Sequence, residues 1–298
     1  MSGDYPHLHP SIRPWADEDA ASRVSRIRTE RWIGYERAQA ALTMLEDVLS
    51  FPKRTRMPNL LLVGPTNNGK TMIVEKFRRA HPATEAAESE DGVARVPVVL
   101  MQMPAGPDER RFFDAILEGL GLGPGARDSI SSRQSLAVRL MRMTQARMLV
   151  IDELHNILSG SRTQQRRLLN LLRWLGNELQ IPLVGVGTAE ALQAIRSDDQ
   201  LVSRFEPVKL PLWREDDTYR RLLATLEALL PLRKPSRLIQ PALAGKIFAL
   251  SDGVLGEIVA VISRAAALAV TSGEEVISTR LIDQAGFVPL SDRRRASI

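Results

Sequence analysis

Cysteine is absent from the 298-residue chain, which excludes disulfides and thiolate metal sites and fits a reducing compartment. Long apolar runs are absent as well. The most apolar late stretch, Ile258 to Val270, is broken by Arg264, so no segment reads as a membrane span. The opening residues Met1-Ser2-Gly3-Asp4-Tyr5 lack the basic-then-apolar pattern of a secretory leader, and a cytoplasmic location is the expectation. Lysine is scarce, at six of forty basic residues, so the net charge of +5 rests on arginine. Guanidinium groups suit bidentate phosphate contacts, which leaves two readings open: a polyanionic partner such as nucleic acid, or a solvated basic surface.

What the chain does contain is organised around Gly64 to Thr71, read as Gly-Pro-Thr-Asn-Asn-Gly-Lys-Thr. The apolar run Asn59 to Val63 precedes it and the helical run Met72 to Arg79 follows, which is the setting of a phosphate-binding loop. In that reading Gly64, Pro65, Thr66, Asn67, Asn68 and Gly69 wrap backbone N–H groups around a nucleotide's phosphates, with Met72 in the first helical turn. Lys70 reaches the β- and γ-phosphates, and the Thr71 hydroxyl takes a Mg²⁺ position. The alternative is an ordinary Gly-rich turn between a strand and a helix.

The second decisive stretch is Met148-Leu149-Val150-Ile151-Asp152-Glu153. Four apolar residues make a strand buried on both faces, and two carboxylates emerge at its C-terminal end, where ligands bind in parallel sheets. Asp152 is the candidate Mg²⁺ partner and Glu153 the candidate activator of the attacking water. Pro182 to Gly187 reads as another buried strand ending in Thr188, whose hydroxyl is placed to sense the γ-phosphate or orient the attacking water, to cap the helix Ala189 to Ile195, or to do both. Ahead of the first long helix, Glu36 to Leu49, the group Trp32-Ile33-Gly34 is a candidate adenine contact. Equally, it reads as a buried helix staple.

Strands and helices alternate from Asn59 to Leu210, with further strands at Val96 to Met101 and Val208 to Leu210. This predicts an α/β fold, a parallel sheet sandwiched by helices. Beyond Pro211 only helices are expected, at Glu215 to Leu230, Gln240 to Leu250, Leu255 to Thr271 and Ser278 to Gly286. The expected organisation is an N-terminal arm over residues 1–30, extended or partly disordered and docked on a partner or on the domain surface, then a nucleotide-binding domain over 31–212. A helical domain over 213–290 and a basic tail over 291–298 complete it. Gly119, Gly121, Gly123 and Gly125 break the chain before a helix from Arg133 that Ser131 or Ser132 is placed to cap. From Arg127 to Arg147 five arginines face only Asp128, a local basic surface.

These residues resemble an AAA+ P-loop ATPase with a small helical lid, and in detail the TniB group of transposition ATPases, relatives of TnsC, MuB and IstB. The strings that carry the resemblance are Leu60 to Thr71, Ile151-Asp152-Glu153-Leu154-His155-Asn156 and Gly185-Val186-Gly187-Thr188-Ala189-Glu190, within roughly Ile33 to Val288. The resemblance implies ATP and Mg²⁺ as cofactors and assembly into a ring or helical filament on duplex DNA without sequence preference. It also implies delivery of the target to a DDE transposase, with a TniQ-like adaptor restricting where the assembly loads. Arg204, in Ser203-Arg204-Phe205, matches the family's arginine finger, which acts on a neighbouring subunit's ATP. One departure concerns the lid. The position of a second sensing arginine falls in Gly253-Val254-Leu255-Gly256-Glu257, which has none and implies slow hydrolysis.

AAA+ machines that thread polypeptides carry an aromatic residue in the loop after the second strand, but Gln102 to Pro107 has none. Arg110 and Arg111 follow it, and with Arg133 they are the candidate DNA-phosphate contacts; a solvated face or a subunit interface is the competing reading. Two other functions share these motifs: a helicase or clamp loader of the same superfamily, and a nucleotide-switched protein-interaction scaffold.

Overall fold

A computed structural model describes residues 4–89, 92–123 and 129–295. The predicted breaker Gly125 and the charges Arg127 and Asp128 lie outside the described residues, as do residues 1–3 of the arm and 296–298 of the tail. The chain forms two compact units, one of residues 36–66 and 70–211, the other of residues 1–35, 67–69 and 212–298.

The first unit is built on five strands: β1 (Asn59–Val63), β2 (Val98–Gln102), β3 (Met148–Asp152), β4 (Leu183–Gly187) and β5 (Phe205–Lys209). All pairings are parallel and the order is β2-β3-β4-β1-β5. Every residue of β1, β3 and β4 is buried, as uniformly apolar strands must be when helices cover both faces. Around them Leu61, Leu149 and Ile151 share one core with Phe112, Phe113 and Ile116 of the helix Glu109–Gly119 and with Leu168, Leu172 and Leu175 of the helix Arg162–Leu179. The strand at Val208 begins earlier than its apolar residues suggested. β5 lies at the sheet edge with one fully buried residue, Phe205, so Glu206 and Pro207 are accommodated there. The helix after the glycine-rich breaker also starts earlier, at Ile130, because Ser129 rather than Ser131 or Ser132 accepts the capping N–H of Ser132 at 3.1 Å.

The second unit is helical, with Asp217–Ala228, Pro241–Ser251, Leu255–Thr271 and Thr279–Gln284 where four helices were expected. Their shared core includes Leu222, Leu223, Ile247, Ile258, Val261, Ile262 and Leu281. Among the described residues no helix is long and apolar enough to cross a membrane.

Where an extended arm was expected, the chain folds into helices Arg13–Ala16 and Ala20–Arg28. Leu8, Ile12 and Ala16 recur four residues apart, and they form a small buried cluster of their own; Pro10 and Pro14 mask that period in the sequence. Ile27 joins the main helical core. Arg23 is 2 % exposed, donates through both its terminal nitrogens to Glu275, and donates from Nε to the Pro231 carbonyl at 3.0 Å. Burial pushes the Glu275 carboxyl up, but the hydrogen bond from Arg23, the Arg233 N–H and the charges of both arginines outweigh it and hold it below its ordinary value.

Removing this cation leaves a buried carboxylate with only the Arg233 N–H at 3.2 Å and the more distant Arg233 guanidinium at 3.9 Å. Arg23→Met is therefore expected to cost about 3 kcal/mol at neutral pH in urea denaturation followed by circular dichroism. Because the folded carboxyl is depressed, its contribution is present above the unfolded value and is lost as pH falls through the folded one. The gap between parent and variant should close on acidification through the carboxylate range.

Candidate nucleotide site

β1 ends at Gly64, whose N–H donates to the Gly187 carbonyl at 3.1 Å. A Cβ at residue 64 would lie 2.7 Å from the Leu210 carbonyl oxygen, so only glycine lets the loop leave the sheet here. The helix Lys70–Ala80 then begins, directing the partial positive charge of its N-terminus at the loop. The Lys70 ammonium is largely buried and donates to the carbonyls of Gly64 at 2.9 Å and Pro65 at 2.7 Å. Burial lowers its pKa, while the charges of Glu153 and Asp152 act in the opposite direction.

Thr71 Oγ1 donates to Asp152 Oδ2 at 2.8 Å, which ties the start of this helix to the end of β3. The other oxygen of Asp152 accepts the Glu153 N–H at 2.8 Å. A hydroxyl and a carboxylate are hard oxygen donors, and Mg²⁺ is commonly held by one or two such groups together with waters and substrate phosphates. The pair therefore fits the ion. Among the described residues there is no group of three or more His, Asp or Glu able to hold a metal.

The strand order explains how the remaining groups meet. β4 lies between β1 and β3, so Thr188 follows a strand end flanked on one side by the phosphate loop and on the other by the acid pair. Thr188 stands at the N-cap of the helix Ala189–Arg196 yet makes no capping bond, and its buried hydroxyl oxygen has no hydrogen-bond partner. The structure therefore shows no cap at Thr188. Glu153 has a left-handed backbone, φ 54° and ψ 36°, which costs a non-glycine residue about 1–3 kcal/mol and is typical of functional positions. Its Oε2 meets His155 Nε2 at 3.1 Å, a contact that no local pattern in the sequence announced.

The tip of the loop belongs to the helical unit. Asn67 takes φ 59° and Gly69 φ 84°, both left-handed. The N–H of Gly256 donates to the Asn67 carbonyl at 2.9 Å, the N–H of Leu255 to Asn68 Oδ1 at 3.2 Å, and Asn67 Nδ2 to Glu257 Oε1 at 3.1 Å. Gly256 is required, since a Cβ there would fall 2.1 Å from the Asn67 side chain. The missing lid arginine is thus matched by a buried carboxylate, Glu257, which also pairs with Arg293. That pairing ties part of the expected solvated tail, the helix Leu290–Arg295, to the lid. Ile33 packs on the helical core, and the Tyr35 hydroxyl lies 3.4 Å from where a Cβ of Gly69 would be; Gly34, between them, has open space on all but its Trp32 side. Thr66 is exposed, while Pro65 and Met72 are half-buried.

The arginines divide. Arg110 and Arg111 are exposed in the first turn of the helix Glu109–Gly119, opposite its buried face. Arg133 is not available to DNA: it is 2 % exposed and ion-paired with Asp114, joining two neighbouring helices. Arg204 is half-buried and donates to Asn177 Oδ1 at 2.7 Å; its pKa is lowered by burial and by Arg56 and Arg173, with Asp198 opposing.

Comparison with solved structures finds the same fold in several proteins. A structure of the Aeropyrum pernix ORC1 protein in complex with DNA superposes with a TM-score of 0.62 at 19% identity, covering 88% of this chain and 68% of that one. CDC6P from Pyrobaculum aerophilum gives 0.63 at 16% identity, covering 92% and 74%. A RUVB variant of Thermotoga maritima gives 0.52 at 17% identity, covering 90% and 78%. The fold is that of an AAA+ P-loop ATPase, a parallel sheet between helices with a helical C-terminal region. No curated protein sequence matches the chain. A sequence model described as the bacterial TniB protein matches residues 23–215, which include the phosphate loop, the Asp152-Glu153 pair, Thr188 and Arg204, and the chain belongs to the TniB family.

Proposed function

We propose that the protein is an ATPase that assembles on duplex DNA and presents the target site to a DDE transposase, with a TniQ-like adaptor governing where it loads. The observation that carries this reading is the convergence of Lys70, Thr71, Asp152, Glu153 and Thr188 at the C-terminal ends of β1, β3 and β4. Lys70 and the loop amides would bind the β- and γ-phosphates, and Thr71 with Asp152 would hold Mg²⁺, which when bound would supply neutralisation of the charge developing there. Glu153 accepts a proton from the attacking water, while the Thr188 hydroxyl donates to that water or to the γ-phosphate. Ile33 and Gly34 are assigned to the adenine, since their segment reaches Gly69 through Tyr35.

DNA binding is supported by the exposed Arg110 and Arg111 and by the excess of arginine; contacts to phosphates carry no base preference and weaken steeply with salt. A cytoplasmic location goes with a DNA substrate. The test is electron microscopy of the protein with random-sequence duplex DNA in ATP, a nonhydrolysable analogue, ADP or no nucleotide. Filaments or stacked rings on DNA are expected only with a triphosphate. Discrete particles indifferent to DNA would instead support a loader or a nucleotide-switched scaffold, and binding to a helicase rather than to a transposase would select the loader.

A further inference from the structure

His155 belongs to the 3₁₀ segment Leu154–Ser159, which lies against β4 where that strand has two glycines. A Cβ on Gly185 would fall 2.5 Å from the Leu154 side chain, and one on Gly187 would fall 2.7 Å from the Ala191 Cβ and 3.3 Å from His155 Nδ1. Gly185 therefore makes room for this turn, and Gly187 makes room for Ala191 and brings the strand close to the His155 ring. The far side of the turn is fixed too: Asn156 donates from its backbone to the Glu153 carbonyl at 2.9 Å and from Nδ2 to the Met103 carbonyl at 3.1 Å, and Ser159 donates to the Ala105 carbonyl at 2.7 Å. The imidazole is held by its own backbone and by β4 before it meets Glu153.

The contact itself is specific. His155 Nε2 lies 3.1 Å from Glu153 Oε2, within ion-pair distance of the carboxylate. His155 Nδ1 is buried with no hydrogen-bond partner, and Thr188 Oγ1 is in the same condition. Buried polar atoms are rarely left so in a segment whose role is packing alone. We infer that His155 is a positioning residue for hydrolysis: it pins one oxygen of Glu153, so that the left-handed turn at residue 153 presents the other oxygen to the attacking water. The inference rests on the ATPase reading above. His155 touches neither nucleotide nor water in this role; it acts through the orientation of Glu153, where a misplacement of about 1 Å can cost on the order of a hundredfold in rate.

The experiment measures ATP hydrolysis by the full chain with duplex DNA, nucleotide affinity with a fluorescent ATP analogue, and thermal melting, for the parent, Glu153→Gln, His155→Ala and His155→Gln. His155→Ala is expected to lower kcat by about tenfold to a hundredfold with KM, analogue affinity and Tm near those of the parent. His155→Gln keeps an N–H donor and should recover most of the loss. In single-turnover assays, adding His155→Ala to Glu153→Gln should produce no further decrease, because two residues acting through one contact are not additive. Equal losses in Ala and Gln, a loss shared by affinity and Tm, or full additivity with Glu153→Gln would each overturn the positioning role. A parent that hydrolyses ATP and loses activity in Glu153→Gln, but keeps it in His155→Ala, would overturn this inference and leave the ATPase reading intact. A parent without hydrolysis would overturn both.

Discussion

Glu153→Gln is expected to bind ATP as tightly as the parent and to turn it over about a thousandfold more slowly, within the 10²–10⁴ range for loss of a general base. The substitution changes little else. The amide has nearly the shape of the carboxylate, its carbonyl can keep the place of Oε2 beside His155 Nε2, and the left-handed backbone at residue 153 is unaltered. Lys70, Thr71 and Asp152 keep their bonds to one another and to the loop, so nucleotide and Mg²⁺ binding should persist. What disappears is a base able to take the proton of water. The consequence reaches beyond rate: if a bound triphosphate holds subunits together on DNA, blocked hydrolysis should make assemblies accumulate, visible as longer or more numerous particles in electron micrographs. Lys70→Ala serves as the contrast, losing binding and assembly together. A Glu153→Gln variant that hydrolysed ATP at the parental rate would show that the water is activated by another group.

Much of this site was legible because its parts are local in sequence. A buried strand, a glycine-bearing turn and a helix start occupy consecutive residues from Asn59 to Lys70, and strand and acid pair are contiguous from Met148 to Glu153. The parallel sheet followed from the alternation of strand and helix, with β1, β3 and β4 marked by unbroken apolar runs. What stayed hidden depends on contacts between distant residues. Arg133 stands in a basic stretch, and the acid that claims it, Asp114, belongs to another helix. Arg23 meets its partner Glu275 across nearly the whole length of the chain, which is why residues 1–30 read as an arm. His155 was visible in the string after Glu153, but its orientation depends on Gly185 and Gly187 of β4, and a single sequence does not pair those positions. Thr188 carried both a capping and a phosphate-side reading, and only the absence of a capping bond is visible in the fold.

Arg204 sits where it cannot serve the site of its own subunit, and this gives the second large effect. Its carbonyl accepts the N–H of Asn59 at 2.9 Å, placing it at the beginning of β1, whereas the phosphate loop starts at the other end of that strand. At about 3.3 Å per residue the five residues of β1 separate the two by roughly 16 Å, farther than a side chain extends. A contribution of Arg204 to phosphate chemistry must therefore be made to a neighbouring subunit, which requires assembly. An arginine supplied in this way is worth about 10³–10⁵ in turnover in related phosphoryl-transfer systems. Arg204→Ala should accordingly reduce ATP turnover by about a thousandfold while leaving monomer nucleotide affinity unchanged, since no group of its own phosphate loop is disturbed. Mixing supplies the decisive readout. Arg204→Ala retains an intact site without the finger, and Glu153→Gln retains the finger beside a site that cannot activate water. Each alone is inactive, yet mixed assemblies contain junctions where Arg204 of a Glu153→Gln subunit meets an intact neighbouring site, and activity should return as the two are combined on DNA. A mixture that stays inactive although both proteins co-assemble, or a parent that hydrolyses at full rate when diluted to monomers, would refute action between subunits.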